Sequence, residues 1–316
     1  MYAASEIHKH IKKSKKVLIV PHQNPDGDAL GSAAAFFEYV TGLGIEASIF
    51  CATPPSSKLN FISKYAKVNS DPKVFKENFD TIVALDSGDL RYLGIDAFVK
   101  DHPATIINID HHATNENFGH INLVITSAAS TTEILFRFFR HNGIRINQKM
   151  ATCLLTGLST DTGNFTNSAT SGDALRAGGE LILSGGNFNL ITTNTLKNKS
   201  IKSLQLWGKA FSRLTKDERL NLTYTYITQK DIQDLSANEN EYEGISNFLN
   251  NLDNTAITLL LTETSENQVK GSLRTTHNDV DVSIIAKKFG GGGHKKAAGF
   301  TTDGTIEEVL GKVLTS

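Results

Sequence analysis

Three short aliphatic and β-branched runs, residues 16–21, 81–85 and 105–109, each open directly onto an acidic turn. Between and after them lie stretches with apolar residues three or four apart, at 29–41, 130–141, 148–160 and 171–184, which read as helices. Further strand runs fall at 47–51 and 120–124. Strands alternating with helices are the pattern of a mostly parallel sheet flanked by helices, so the first half of the chain is expected to be an α/β layer structure.

With 316 residues the chain exceeds one compact domain. Around 185–198 it turns to Gly, Asn and Thr without periodicity, and the expected layout is a domain at 1–188, a linker at 189–204 and a smaller domain at 205–316. In the latter, helices are expected at 200–208, 242–250, 280–288 and 305–314, and strands at 211–215, 220–228, 256–264 and 269–275. That is an α/β domain with a mixed sheet.

Several function classes are disfavoured at once. Lysine and arginine total 32 against 33 acidic residues, a net charge of −1, so binding of long duplex nucleic acid through overall charge is not expected. Two cysteines, Cys51 and Cys153, cannot build a disulfide framework and sit in no zinc pattern, which points to reducing cytoplasm. The apolar run after the basic start is too short for a signal-peptide core, and no stretch approaches the roughly 20 residues of a spanning helix, so no membrane is expected.

The chemistry concentrates where strands end. His22, Asp26 and Asp28 share the turn after the first run, Asp86 follows the second, Asp110-His111-His112 ends the third, and Asp161 lies at the end of the 148–160 helix. Open α/β sheets bind ligands at the carboxyl ends of their strands. Carboxylates gathered there repel one another unless cations are present, and two divalent ions about 3.5–4 Å apart are a recurrent arrangement for attack on phosphorus. Carboxylates mixed with imidazoles suit Mn²⁺ better than Mg²⁺.

These segments resemble the DHH phosphoesterase family: His22-x-x-x-Asp26-x-Asp28, Asp86 after a strand, Asp110-His111-His112, and Asp161 in a Ser-Thr-Asp-Thr-Gly context. The likeness continues in residues 271–275 and 289–300, which look like the DHH-associated substrate domain with its Gly-Gly-Gly-His signature. The resemblance implies one cation held by His22, Asp26 and Asp86 and a second by Asp28, Asp86, His111 and Asp161, with Asp86 shared. It also implies that His112 faces the scissile phosphate while Asp110 orients the histidines. Arg274, Gly291, Gly292, Gly293 and His294 are implied to hold the substrate's phosphate or nucleotide.

The expected activity is therefore hydrolysis of a phosphoester by a water activated by two divalent cations, Mn²⁺ foremost. Within the family the chain is most similar to the nanoRNase and 3'-phosphoadenosine 5'-phosphate phosphatase group, so short RNA or a small nucleotide is the expected substrate. The alternatives are a phosphodiesterase of cyclic or linear di-AMP, a pyrophosphatase or exopolyphosphatase-like hydrolase, and a catalytically silent nucleotide-binding module.

Overall fold

A computed structural model of the chain describes residues 2–100, 102–197, 199–264 and 267–315. Two compact units result, Met1–Asn198 and Lys199–Ser316, each an α/β layer structure.

The first unit carries six strands, β1 Lys16–Pro21, β2 Glu46–Phe50, β3 Val68–Asn69, β4 Thr81–Leu85, β5 Thr105–Asp110 and β6 Ile121–Val124. They lie in the order β3-β2-β1-β4-β5-β6, every pairing parallel. Chain order reverses between β1 and β4, which makes that crevice the topological switch point of the sheet. Pro21, Leu85 and Ile109 lie in register across β1, β4 and β5, so the three acidic turns leave the sheet at one level.

The strand runs are continuously apolar because both sheet faces are covered. Val17, Ile19, Val83, Leu85, Ile107 and Ile109 pack with helices Gly27–Gly42, Thr131–His141 and Gln148–Asp161. The alternate residues Leu18, Val20, Ile82, Ala84 and Ile106 pack with Phe50, Val74, Phe79, Leu93 and Ile95. Each such burial is worth about 1.5–3 kcal/mol relative to exposure, so a one-residue slip in register would be heavily disfavoured. Helices Gly27–Gly42 and Gln148–Asp161 cross with almost no space between backbones, since a Cβ on Gly31 would lie 2.4 Å from the Cys153 carbonyl oxygen.

Several elements differ from expectation. Helix Tyr2–Ile11 buries Ala4, Ile7 and Ile11, an apolar stripe hidden in the sequence by the lysines around it. The expected linker at 189–204 contains most of helix Phe188–Thr195, capped by the Asn187 side chain on Leu190 N and anchored by fully buried Ile191, and the start of the next helix; residue 198 lies outside the described residues. That next helix, Ile201–Ser212, extends through Phe211, which the sequence assigns to a strand. Phe211 instead sits one turn from Trp207, ring centroids 5.7 Å apart.

The second unit contains β7 Thr215–Asp217, β8 Leu222–Ile227, β9 Ile257–Glu263, β10 Gln268–Arg274, β11 Gly292–His294 and β12 Ala297–Asp303. Their order is β11-β12-β10-β9-β8-β7, antiparallel except for the parallel pair β8 and β9. Helices Val282–Lys288 and Ile306–Thr315 cover one face, and helix Ile201–Ser212 with the turn Ile245–Phe248 covers the other. The expected helix at 242–250 is broken, because Gly244 adopts φ 94° between Glu239–Tyr242 and Ile245–Phe248. No helix of the described residues is long and apolar enough to cross a membrane.

Candidate metal centre

The turn after β1 places its carboxylates through helix capping. Asp26 caps helix Gly27–Gly42, its Oδ1 accepting from Asp28 N at 2.9 Å and Ala29 N at 3.0 Å. The helix then carries Asp28 inward to full burial. Asp86, directly after β4, is a non-glycine residue at φ 60°, and its N–H is tied to the Ile109 carbonyl at 3.0 Å. Left-handed backbone at such a residue is costly and is held here by the neighbouring strand.

Around Asp86 three groups of side chains come close enough to share an ion: His22 with Asp26 and Asp86; Asp28 with His111 and Asp161; and Asp86 with His111 and His112. Asp86 Oδ2 lies 3.5 Å from His22 Nε2, while its Oδ1 lies 3.6 Å from His111 Nε2. His111 Nε2 is also 3.6 Å from Asp161 Oδ2. The two oxygens of one carboxylate thus serve two neighbouring clusters.

The imidazoles are oriented for ligation. His22 Nδ1 donates to the Gln23 carbonyl at 2.7 Å and His111 Nδ1 to the Ala128 carbonyl at 3.4 Å, so each turns Nε2 toward the carboxylates. Tyr92 stacks on the His22 ring, centroids 5.1 Å apart.

Charge in this pocket is unbalanced. Burial, then the negative charges of Asp86 and Asp26, push the Asp28 carboxyl well above the usual carboxylate range. Asp161 is pushed well up in the same way, by burial and then by Asp28, Asp26 and Asp86. For Asp86 burial acts upward, yet His22, His111 and His112 outweigh it and hold the carboxyl low. Burial disfavours charge on His22, but Asp86, the Gln23 carbonyl and Asp26 raise it to about 9. Without a cation, imidazolium does the neutralising; four carboxylates with inward-facing imidazole nitrogens form a donor set that fits divalent cations.

Asp110 does not belong to these groups. It is fully buried and accepts from His112 Nδ1 at 2.7 Å through Oδ1 and from Asn115 Nδ2 at 2.6 Å through Oδ2. The hydrogen bond to Asp110, opposed by burial and helped by the Asp110 and Asp86 charges, raises the His112 pKa. Its ring, with its other nitrogen free of Asp110, is partly exposed beside Asp86.

Sequence reasoning missed Thr131, Thr132, Asn115 and Gly157. Thr131 and Thr132 open helix Thr131–His141 and donate to Asp28 and Asp86. Asn115 ties Asp110 to Asn108 Oδ1 and the Ser87 carbonyl. The available signal was the Ser130-Thr131-Thr132-Glu133 start of a helix beside the acidic edge, a capping pattern with more donors than a cap needs.

Arg274, Gly291, Gly292, Gly293 and His294 lie in the second unit. Arg274 ends β10 opposite Ala297, and Ala297 pairs in turn with His294, so Arg274 and His294 share one row across the sheet. Arg274 Nε donates to Asn247 Oδ1 at 3.2 Å and Nη1 to the Leu273 carbonyl at 2.9 Å; neither partner is a carboxylate, and burial lowers its pKa. Across the strand pair from Arg274, the Thr258 hydroxyl is buried without a hydrogen-bond partner. The glycine run leaves a helix and enters a strand. Gly290 at φ 75° ends helix Val282–Lys288, and residues Gly292–His294 form β11. A Cβ on Gly291 would meet the Gly299 carbonyl oxygen at 2.2 Å, and Gly293 combines φ 137° with an approach of 2.6 Å to the Ala297 carbonyl oxygen. Packing therefore accounts for Gly291 and Gly293, whereas a Cβ on Gly292 would meet open space.

Comparison with known proteins covers both units. Residues 16–158 match the DHH family, N-terminal domain, and residues 220–315 match the DHHA1 domain. The chain is 32% identical over 300 residues to the bifunctional oligoribonuclease and PAP phosphatase NrnA of Thermus thermophilus, covering 94% of this chain and 88% of that protein. It is 29% identical over 153 residues to a probable manganese-dependent inorganic pyrophosphatase of Streptococcus thermophilus, covering 46% of this chain and 48% of that one. Among solved structures, an exopolyphosphatase-related protein of Bacteroides fragilis superposes with TM-score 0.91 at 26% identity, covering 99% of this chain and 94% of that one. The chain belongs to the DHH family of phosphoesterases and carries a DHHA1 domain after its DHH domain.

Proposed function

We propose that the protein hydrolyses short oligoribonucleotides and 3'-phosphoadenosine 5'-phosphate with the help of two divalent cations, Mn²⁺ foremost. The observation that carries this reading is Asp86, whose two oxygens face His22 and His111 in two separate ligand groups. His22, Asp26 and Asp86 would hold one ion, and Asp28, Asp86, His111 and Asp161 the other. The ions would lower the pKa of water and neutralise charge on phosphorus.

The chain's own residues do the rest. His112, fixed by Asp110 and kept protonated to higher pH than a free imidazole, donates to the phosphate oxygen or to the leaving group. Arg274, half-buried without a carboxylate partner among its hydrogen bonds, offers guanidinium N–H groups to a substrate phosphate, with the Thr258 hydroxyl as a neighbouring hydrogen-bonding group. His294 adds a donor in the same row, and Gly292 leaves backbone accessible. The choice of short RNA and nucleotide rests on the likeness to the oligoribonuclease and PAP phosphatase, 32% identical across 94% of the chain, whereas the likenesses to probable pyrophosphatases of Streptococcus thermophilus and Streptococcus agalactiae are 29% across 46% and 26% across 72%.

The test is a rate comparison with Mn²⁺ on a ribodinucleotide, 3'-phosphoadenosine 5'-phosphate, linear and cyclic di-AMP, and pyrophosphate, each repeated in chelator. The proposal expects the dinucleotide and 3'-phosphoadenosine 5'-phosphate to lead and chelator to abolish turnover. Pyrophosphate or cyclic di-AMP leading, or full rates in chelator, would overturn it.

A further inference from the structure

Asp28 is held unlike the other acidic residues around Asp86. Both its oxygens face the start of helix Thr131–His141: Thr131 N donates to Oδ2 at 2.6 Å, while Thr132 N and Thr132 Oγ1 donate to Oδ1 at 2.9 and 2.7 Å. The helix already has its own cap, because Ser130 Oγ accepts from Glu133 N at 3.1 Å. Its first amides are thus directed at a residue far away in sequence, where helix N-termini favour negative charge. Gly157 leaves no slack around this contact, since a Cβ there would stand 2.4 Å from Asp28 Oδ1 and 2.7 Å from Thr132 Oγ1.

Oδ1 has both lone pairs engaged, and Oδ2 keeps one. The neighbouring hydroxyl of Thr131 donates at 2.9 Å to Asp86 Oδ1, the oxygen that faces His111. Two adjacent threonines therefore hold Asp28, grouped with His111 and Asp161, and Asp86, the residue shared between groups, on its His111-facing oxygen. Thr131, Thr132, Asp28 and Asp86 are all fully or almost fully buried, so water does not compete for the bonds.

We propose that Thr131 and Thr132 are positioning residues that fix Asp28 against Asp86 and so set the separation of the two cation positions, leaving Asp28 one Oδ2 lone pair for ligation. This rests on the two-cation reading of the site. Their hydroxyls donate to Asp86 and Asp28. Valine at either position keeps the shape and the backbone donor and removes only the hydroxyl's contribution.

The experiment is calorimetric titration of Mn²⁺ into wild type, T132V, T132S and T131V, together with the electron paramagnetic resonance spectrum of the loaded proteins and the melting temperature of the cation-free ones. In T132V the weaker Mn²⁺ dissociation constant should rise about 10- to 100-fold, the range for removing a partner that orients a ligand. T132S, which keeps the hydroxyl, should stay near wild type. T131V should alter the spin-coupled signal of the manganese pair. If T132V fails to fold, T132A, which adds no bulk, is read in its place. Unchanged affinity and spectrum with only a lower melting temperature would mean a purely structural role and overturn the inference. A wild type that binds no manganese would instead overturn the functional reading beneath it.

Discussion

Replacing Asp110 by Asn tests the arrangement of His112 without touching the proposed cation ligands. In the native centre each Asp110 oxygen accepts from a different donor, Oδ1 from His112 and Oδ2 from Asn115. A carboxamide can accept through one atom only, so an N–H group must face either His112 Nδ1 or the Asn115 amide. Asn115 cannot turn over to adapt, because its Nδ2 also donates to Asn108 Oδ1 at 2.8 Å and the Ser87 carbonyl at 3.1 Å, while its Oδ1 accepts from Asn117 N. The variant therefore loses a charge-assisted bond worth about 1.5–3 kcal/mol, which at about 1.4 kcal/mol per factor of ten is roughly a 10- to 150-fold drop in kcat. There is also a pH signature. Asp110 raises the His112 pKa, so without it the imidazolium is lost earlier and the alkaline limb of kcat/KM moves to lower pH. The assay is steady-state hydrolysis of a ribodinucleotide from pH 6 to about 9.5, a span that brackets the ordinary histidine range, with Mn²⁺ affinity measured in parallel and expected to hold. A variant with near-normal kcat and an unmoved alkaline limb would refute the role given to this pair.

Other expectations follow from the same geometry. D86N should lower the affinity for both manganese ions and cut turnover by several orders of magnitude, read by metal content and kcat. R274A should raise KM about 10- to 150-fold while leaving manganese content unchanged; a collapse of metal binding would contradict its placement in the second unit. His22 sits at about 9 in the cation-free protein, so manganese binding near neutral pH should release protons and weaken as pH falls, checked by calorimetry in buffers of different ionisation enthalpy. In the second unit burial acts against the Asp231 carboxylate, but Arg213, Thr228 and Lys209 win and hold its pKa well below the usual range. Its stabilisation is full above the unfolded value of about 3.9 and is lost as pH falls toward the folded one, so the stability gap between wild type and D231N in urea should shrink in acid.

What the sequence disclosed of the fold follows from burial. The runs that became β1, β4 and β5 are apolar on both faces, and nothing but a covered parallel sheet tolerates that, so their acidic ends could be placed at one edge before any coordinates. Helix Tyr2–Ile11 escaped because its stripe of Ala4, Ile7 and Ile11 is narrow and interrupted by charge. Phe211 was misread because an aromatic beside β-forming residues looks like a strand until its partner Trp207, four residues back, is seen to share a helix face. The proposed ligands were legible because Asp and His at strand ends have few other uses. Thr131, Thr132, Asn115 and Gly157 were not, since their roles come from contacts made across the fold; Thr132 is 104 residues from Asp28. In the glycine run, Gly291 and Gly293 also answer to backbone packing, which no local pattern reveals.

The most direct measurement is an anomalous-scattering map from crystals grown with manganese, recorded above the manganese absorption edge. Two peaks about 3.5–4 Å apart on either side of the Asp86 carboxylate, one near His22 and one near His111, are the result expected. A single peak remote from Asp86, or no peak at saturating manganese, would contradict the centre described here.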